Sequence, residues 1–196
     1  MTDDAAPSDS DAPPEPDEPP SVTTTGFGSP LLECVREIER FAARDGWDRP
    51  ARLFALARTS ALLSREPSLA AALGIDPDTA SELTPIEQEE LSADQPLEQV
   101  LATMAWPADV AGCALVVERV VLPPQAETEL LQDAETLVDR AAAHAERQDV
   151  RMVVAVLRDG SRECAIRLRA HDNELEVLTG PDLVPALTDA LLATFA

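Results

Sequence analysis

The amino-acid sequence predicts an α+β fold: a single domain with a mainly antiparallel central sheet and a C-terminal hairpin, with amphipathic helices covering one side and the ends. Three observations carry this. Residues 112–122, "GCALVVERVVL", are a near-continuous apolar run of strand length. Residues 150–170 alternate on either side of an Asp159-Gly160 dipeptide. Several other segments repeat apolar residues at helical spacing.

In chain order, residues 1–28 come first as an acidic, proline-rich tail. Its first twenty residues hold seven acidic residues, no basic ones and six prolines. Such a composition buries too little apolar surface to offset chain entropy, so disorder is expected there and the folded domain is placed at 29–196. Ser29-Pro30 reads as a helix cap followed by proline at the first helical position. Leu31, Cys34, Val35, Ile38, Phe41 and Ala42 then form one apolar stripe, ended by Gly46. Arg36, Arg40 and Arg44, with Glu33, Glu37 and Glu39, read as the solvated opposite side with local ion pairs.

"RLFALA", residues 52–57, reads as a strand, and two short helical pieces follow at 60–65 and 68–73, broken by Pro67. "IDPDTASELTP", residues 75–85, reads as a capped turn and loop, with Asp76 before Pro77. Leu97, Val100, Leu101 and Met104 make another helical stripe, with Asp94 as its expected cap and Pro96 at the second helical position. Residues 130–145 describe a longer amphipathic helix.

In the hairpin, a two-residue turn centred on Asp159-Gly160 places Ala155 opposite Cys164 and Val153 opposite Ile166. One face is then Val153, Ala155, Leu157, Cys164, Ile166 and Leu168, expected in the core. The other is Met152, Val154 and Val156 opposite Glu163, Ala165 and Arg167. A last strand is expected at "LEVLT", residues 175–179. A terminal helix is expected to be capped by Asp182, with Val184, Leu187, Leu191 and Phe195 as its buried stripe.

Composition bounds the function. A net charge of −22 falls to −15 when the seven tail charges are removed, which argues against a nucleic-acid partner because phosphate binding needs clustered cations. All fifteen basic residues are Arg, and Lys and Tyr are absent, a bias toward high-GC codons. No signal-peptide pattern and no apolar run of membrane-spanning length is expected to direct the chain to a membrane. Three widely spaced cysteines, Cys34, Cys113 and Cys164, suit reduced thiols, so a cytoplasmic setting is expected.

The run Trp106–Pro124 sets a thiol, a carboxylate and a guanidinium among apolar residues, yet its geometry is not that of an active site. On a strand Cys113 and Arg119 lie about 20 Å apart, and Glu118 points to the opposite face from Arg119. Cys164 and His171 are about 23 Å apart on an extended chain and face opposite sides. His171, Asp172 and Glu174 read as a polar turn rather than a metal site, and His144 as a cation suited to the end of its helix. No phosphate-binding, zinc-protease, hydrolase or calcium-loop motif is present, and no cofactor or metal is expected.

Together, "GWDRPARLFALARTSALL", "LTPIEQEEL", "WPADVAGCALVVERVVLPP" and "VLRDGSRECAIRLRAHDNELEVLTGPDLVPALTDALLATF" resemble an uncharacterised family of hypothetical proteins from high-GC actinobacteria, over roughly Leu31 to Phe195. The resemblance implies a cytosolic, high-GC origin and brings no catalytic residue, cofactor or activity with it. The expected function is therefore a non-catalytic adaptor or chaperone-like protein that binds a protein partner through the half-apolar hairpin face, Met152, Val154, Val156, Arg167 and Arg169, unless a helix of the same chain covers that face. The alternative is a small-molecule binder or enzyme whose site joins Glu118, Arg119, His171 and Asp172 from distant parts of the chain.

Overall fold

The structure, a computed structural model, describes residues 28–65, 68, 82–88, 91, 95–122 and 147–195. The expected tail, the helices at 68–73 and 130–145, His144, and the caps Asp76 and Asp94 fall wholly or largely outside these residues. The described elements are α1 (Pro30–Arg44), β1 (Arg52–Arg58), α2 (Thr59–Arg65), β2 (Leu83–Glu87), α3 (Leu97–Ala102), β3 (Gly112–Val121), β4 (Gln148–Leu157), β5 (Arg162–Leu168), β6 (Leu178–Gly180) and α4 (Pro185–Ala193). All strand pairs are antiparallel, in the order β2-β1-β3-β4-β5-β6, so the fold is α+β as expected.

Local chemistry explains the ends of α1. The Ser29 hydroxyl accepts from the Leu32 N–H at 3.1 Å, Pro30 occupies the first turn, and Gly46 leaves the helix with φ 78°. The Leu31, Cys34, Val35, Ile38 and Ala42 stripe is buried against Phe54, Leu56, Ala114, Val116, Val153 and Ala155. The alternate residues of the same strands point the other way. Leu53, Cys113, Leu115, Met152, Val154 and Cys164 pack with Leu101 of α3 and Leu191 of α4. Helices thus cover both faces of the sheet rather than one, because β3 and β4 are apolar at both parities and each face needs a cover.

Three expectations at the level of elements are corrected. Residues 83–85, placed in a loop, begin the edge strand β2. The Gln88 N–H bonds to the Leu53 carbonyl and the Thr59 N–H to the Glu82 carbonyl, so even-numbered residues of β2 turn their backbone groups toward β1. Pro85 lies on the outward side, where its missing N–H costs no sheet bond and blunts the edge against further pairing. Proline obscured a strand that only an edge tolerates.

The hairpin register differs by one residue. Leu157 N–H bonds to the Ser161 carbonyl and Gly160 N–H to the Leu157 carbonyl, with Gly160 alone of the turn at positive φ, 88°. This is a three-residue loop with a glycine bulge, not a two-residue turn. Val154 therefore pairs with Cys164, Met152 with Ile166 and Arg151 with Arg167. A one-residue slip exchanges the faces of one strand relative to the other, so Met152, Val154 and Val156 do not share a face with Glu163, Ala165 and Arg167.

Near the C-terminus, residues 174–176 form a tight turn, with the Asn173 side chain accepting from Leu175 N–H, and the last strand starts only at Leu178. Helix α4 starts at Pro185 with Val184, not Asp182, as its cap, and α3 starts after Pro96. In both helices proline marks the entry, where no intrahelical N–H is needed.

Gly112 tests the sheet packing. A Cβ there would overlap the Val156 carbonyl oxygen, a backbone atom that cannot rotate away. Gly112→Ala is expected to destabilise by about 1–3 kcal/mol in urea unfolding. Gly160→Asn, open to solvent and in a conformation Asn accepts, should change stability by well under about 1 kcal/mol.

Candidate functional site

The corrected register brings charge into the interior. On the α1 face, Glu118 of β3 pairs with Arg151 of β4, and Arg151 with Arg167 of β5. Two guanidinium groups directly opposite each other on adjacent strands repel unless each is neutralised. Arg167 is met by Glu39 of α1: Nε and Nη2 donate to the two carboxylate oxygens at 2.6 and 2.8 Å, and both side chains are buried. Its Nη1 donates to Asp172 Oδ1 at 3.2 Å. The hydrogen bonds that Arg167 donates to Glu39 hold the Arg167 pKa above its ordinary value. Glu39 was expected on the solvated side of α1 and lies instead in the core. It follows Val35 by four residues and precedes Ala42 by three, a position at the flank of the buried stripe.

Arg151, 2% exposed, donates from Nε and Nη2 to Glu118 Oε1 at 3.2 and 2.9 Å and from Nη2 to the Gly46 carbonyl. Trp47 lies over it, with the guanidinium carbon 4.3 Å from the ring centroid. This aromatic face meets a guanidinium whose Nη1 has no hydrogen-bond partner among the described residues. Trp47 Nε1 donates to Asp172 Oδ2 at 3.0 Å, and the Asp48 N–H to Glu118 Oε2 at 2.7 Å. Asp48, at φ 64°, accepts two 2.8 Å bonds from Arg169, which lower its carboxyl pKa. The 46–48 loop is thereby clamped to β3, β4 and the turn after β5. Its left-handed aspartate is held by bonds at both backbone and side chain.

The residues expected to form a binding face are separated. Met152, Val154 and Val156 belong to the α4-side core, at 8%, 0% and 0% exposure. Arg167 is buried on the opposite face, and Arg169 lies at the rim. The expected interaction surface on the hairpin is not formed. Of the alternative set, Glu118 and Asp172 enter one network through Arg151, Trp47 and Arg167. Arg119 points to the other face, into a crevice beside Leu97 and Val100. His171 is exposed, its Nδ1 3.5 Å from Glu176. The cavity beside Arg151, lined by Arg49, Arg52 and Glu118 among others, has a volume of about 10 Å³, which is room for one water and no metabolite.

The thiols are equally enclosed. Burial pushes Cys34 and Cys113 up to about 12 and raises Cys164 as well. Among the described residues no group of three His, Cys, Asp or Glu side chains is placed to hold a metal ion, and no helix is long and apolar enough to cross a membrane.

The open feature is a groove of about 790 Å³ between the outer side of α1 and the β1–β2 edge, lined by Arg36, Arg40, Phe41, Arg44, Phe54 and Pro85 with Glu33, Glu37, Ile38 and Glu87. Phe41, expected in the core, is 41% exposed and meets Phe54 edge-on at 6.4 Å. Arg52 stacks 4.7 Å over Phe41 and is held by Glu87 at 2.5 and 2.9 Å and by Asp45 at 2.7 Å. These contacts fix an aromatic floor. Among the described residues Arg44 makes no ion pair, and Arg40 donates from Nε to the Arg36 carbonyl at 3.2 Å and has one ion pair, with Glu174 at 3.8 Å, both side chains exposed. Sequence periodicity marked the arginine row but not the groove, which depends on where the edge strand lies.

Three outcomes check this geometry. Glu39→Gln, which leaves Arg167 buried without its main counter-charge, is expected to cost about 3–5 kcal/mol by urea unfolding. Glu39→Leu combined with Arg167→Met should cost far less than the sum of the single changes, giving a large coupling energy in the double-mutant cycle. Cys34, Cys113 and Cys164 should stay unreactive toward a disulfide-exchange reagent at pH 8 in the native chain, and all three should react once denaturant unfolds it.

The model of the family described as PPA1309-like protein matches residues 31–196. No curated protein and no solved structure gives a significant match. Because the family match runs from the first turn of α1 through β6 and α4, the chain belongs to the PPA1309-like protein family.

Proposed function

We propose that this chain is a non-catalytic protein-binding protein whose α1 groove takes a segment of a partner bearing carboxylates and apolar side chains. The observation that carries the reading is the pairing of a fixed aromatic floor, Phe41 and Phe54, with the exposed cations Arg40 and Arg44 on an otherwise acidic molecule. Buried apolar contact supplies affinity in such sites, and charge complementarity supplies selectivity and encounter rate. The outward Pro85 disfavours strand addition at the adjacent edge, so side chains rather than backbone pairing recognise the partner.

A cytosolic setting in a high-GC actinobacterium goes with this reading; the all-arginine basic composition and three unpaired cysteines support it. A small-molecule site built on Glu118, Arg119, His171 and Asp172 draws less support. The oxygens of Glu118 and Asp172 are already engaged by Arg151, Asp48, Arg167 and Trp47.

The test is quantitative affinity capture from native cytosol by the full chain and by Arg40→Glu/Arg44→Glu. Both arginines are exposed, so the variant should keep its stability within about 0.5 kcal/mol. A captured partner should be depleted about tenfold or more in the variant, and the isolated partner's binding should weaken in parallel by calorimetry. Equal capture by both chains would remove the groove as the binding site.

A further inference from the structure

Resting on that reading of the groove, we infer that its resident occupant is the chain's own acidic N-terminal segment, residues 1–27, which lies back along α1 against Arg40 and Arg44 and must be displaced by a partner. Position comes first. The described chain begins at Gly28 and Ser29, the cap of α1, and the groove follows the same helix from Glu33 to Arg44. From Ser29 to Arg44 is about 22 Å at helical rise, which about seven extended residues span. Glu18, the acidic residue nearest the helix, precedes the cap by eleven residues, so all seven tail carboxylates, Asp3 to Glu18, can reach the far end of the groove.

Charge comes second. The first twenty residues carry seven acidic groups and no basic one, while the groove's acids are unevenly placed. Glu33 and Glu37 lie toward the start of α1, and Glu87 is engaged by Arg52. Toward the end of the helix, Arg40 and Arg44 flank Phe41; Arg44 has no ion pair among the described residues, and the one ion pair of Arg40 there is the long contact to Glu174, its Nε also donating to the Arg36 carbonyl. This is the one stretch of the groove wall where exposed cations outnumber free carboxylates.

Tethering comes third. Exposed ion pairs are individually weak, but a segment covalently attached beside its site acts at millimolar effective concentration, enough for a weak contact to be occupied. Six prolines in the first twenty residues favour a groove over helix or sheet pairing as the mode of contact. An occupied groove lowers a partner's apparent affinity by the fraction of open molecules, so the segment sets a threshold that charge or salt can move.

The experiment compares isotope-labelled full chain with the full-length variant D3N/D4N/D9N/D11N/E15Q/D17N/E18Q by NMR, following the amides of residues 36–44 and the Arg40 and Arg44 Nε–H resonances. Neutralising the tail should shift these signals. About 0.5 M NaCl should shift the wild-type signals the same way, and a synthetic peptide of residues 1–27 added to the variant should move them back. Partner binding should tighten about three- to tenfold in the variant. Coincident spectra, shifts confined to surfaces away from α1, or loss of partner binding on neutralisation would each overturn the inference. The two proposals separate cleanly. Partner binding that needs Arg40 and Arg44 but ignores the tail charges sinks the inference and leaves the groove standing. Binding indifferent to both arginines sinks the groove and the inference with it.

Discussion

The fold depends on the bidentate contact between Glu39 and Arg167, which ties the first helix to a strand 128 residues away. Neither side chain reaches water, so each is stable there only because the other is present. The pair does more than join two elements. Arg167 stands beside Arg151 across β4 and β5, and without Glu39 and Glu118 the sheet would carry two adjacent cations on its covered face with only the half-exposed Asp172 to offset them. The helix must therefore sit at one position along the sheet. Apolar contacts alone would tolerate some sliding of α1, whereas two hydrogen bonds at 2.6 and 2.8 Å do not.

From that anchor the chain leaves α1 through Gly46 and turns back at once. Trp47 and Asp48 then repeat the logic at the rim: the indole covers Arg151 and reaches Asp172, and Asp48 bridges Glu118 to Arg169. The acids and bases alternate so that each guanidinium meets at least one carboxylate. This layout supplies structure and leaves little chemistry available, because proton transfer or ligand capture needs a group with an unused lone pair or proton facing open space. It also explains why the expected small-molecule set is only half assembled. Glu118 and Asp172 are drawn in as counter-ions, while Arg119 and His171, one on the other face and one on an exposed turn, have no part in the neutralisation.

Features decided within a few residues were legible in the sequence. The Ser29-Pro30 cap, the apolar stripe of α1, the two-sided burial of β3 and the existence of the hairpin all follow from local periodicity and turn chemistry. The hairpin register was not, because Asp159-Gly160 fits both a two-residue turn and a three-residue loop, which differ in the backbone of Arg158 and Asp159. Those two residues decided whether Met152, Val154 and Val156 shared a face with Arg167 or with Cys164 and Ile166. Glu39 was illegible for another reason: nothing within its own helix distinguishes it from Glu37, and its partner lies far along the chain. The groove combines both difficulties. Arg36, Arg40 and Arg44 stood out as a row, but its opposite wall is an edge strand hidden by Pro85.

The distribution of arginines along and around α1 shows how a chain with a net charge of −22 presents a cationic stretch of groove wall at all. Carboxylates near this helix are turned toward interior or clamped guanidinium groups: Glu39 to Arg167, Asp45 and Glu87 to Arg52. Each acid used there is one fewer on the solvent side. Arg40 and Arg44 remain exposed beside Phe41 while Glu39, Asp45 and Glu87 are committed to holding the helix and the adjacent strands in place. The same constraint that positions α1 over the sheet thus generates the charge of its outer surface. A change that released Glu39 or Asp45 would weaken the fold and, at the same time, return negative charge to the stretch where Arg40 and Arg44 stand exposed beside Phe41.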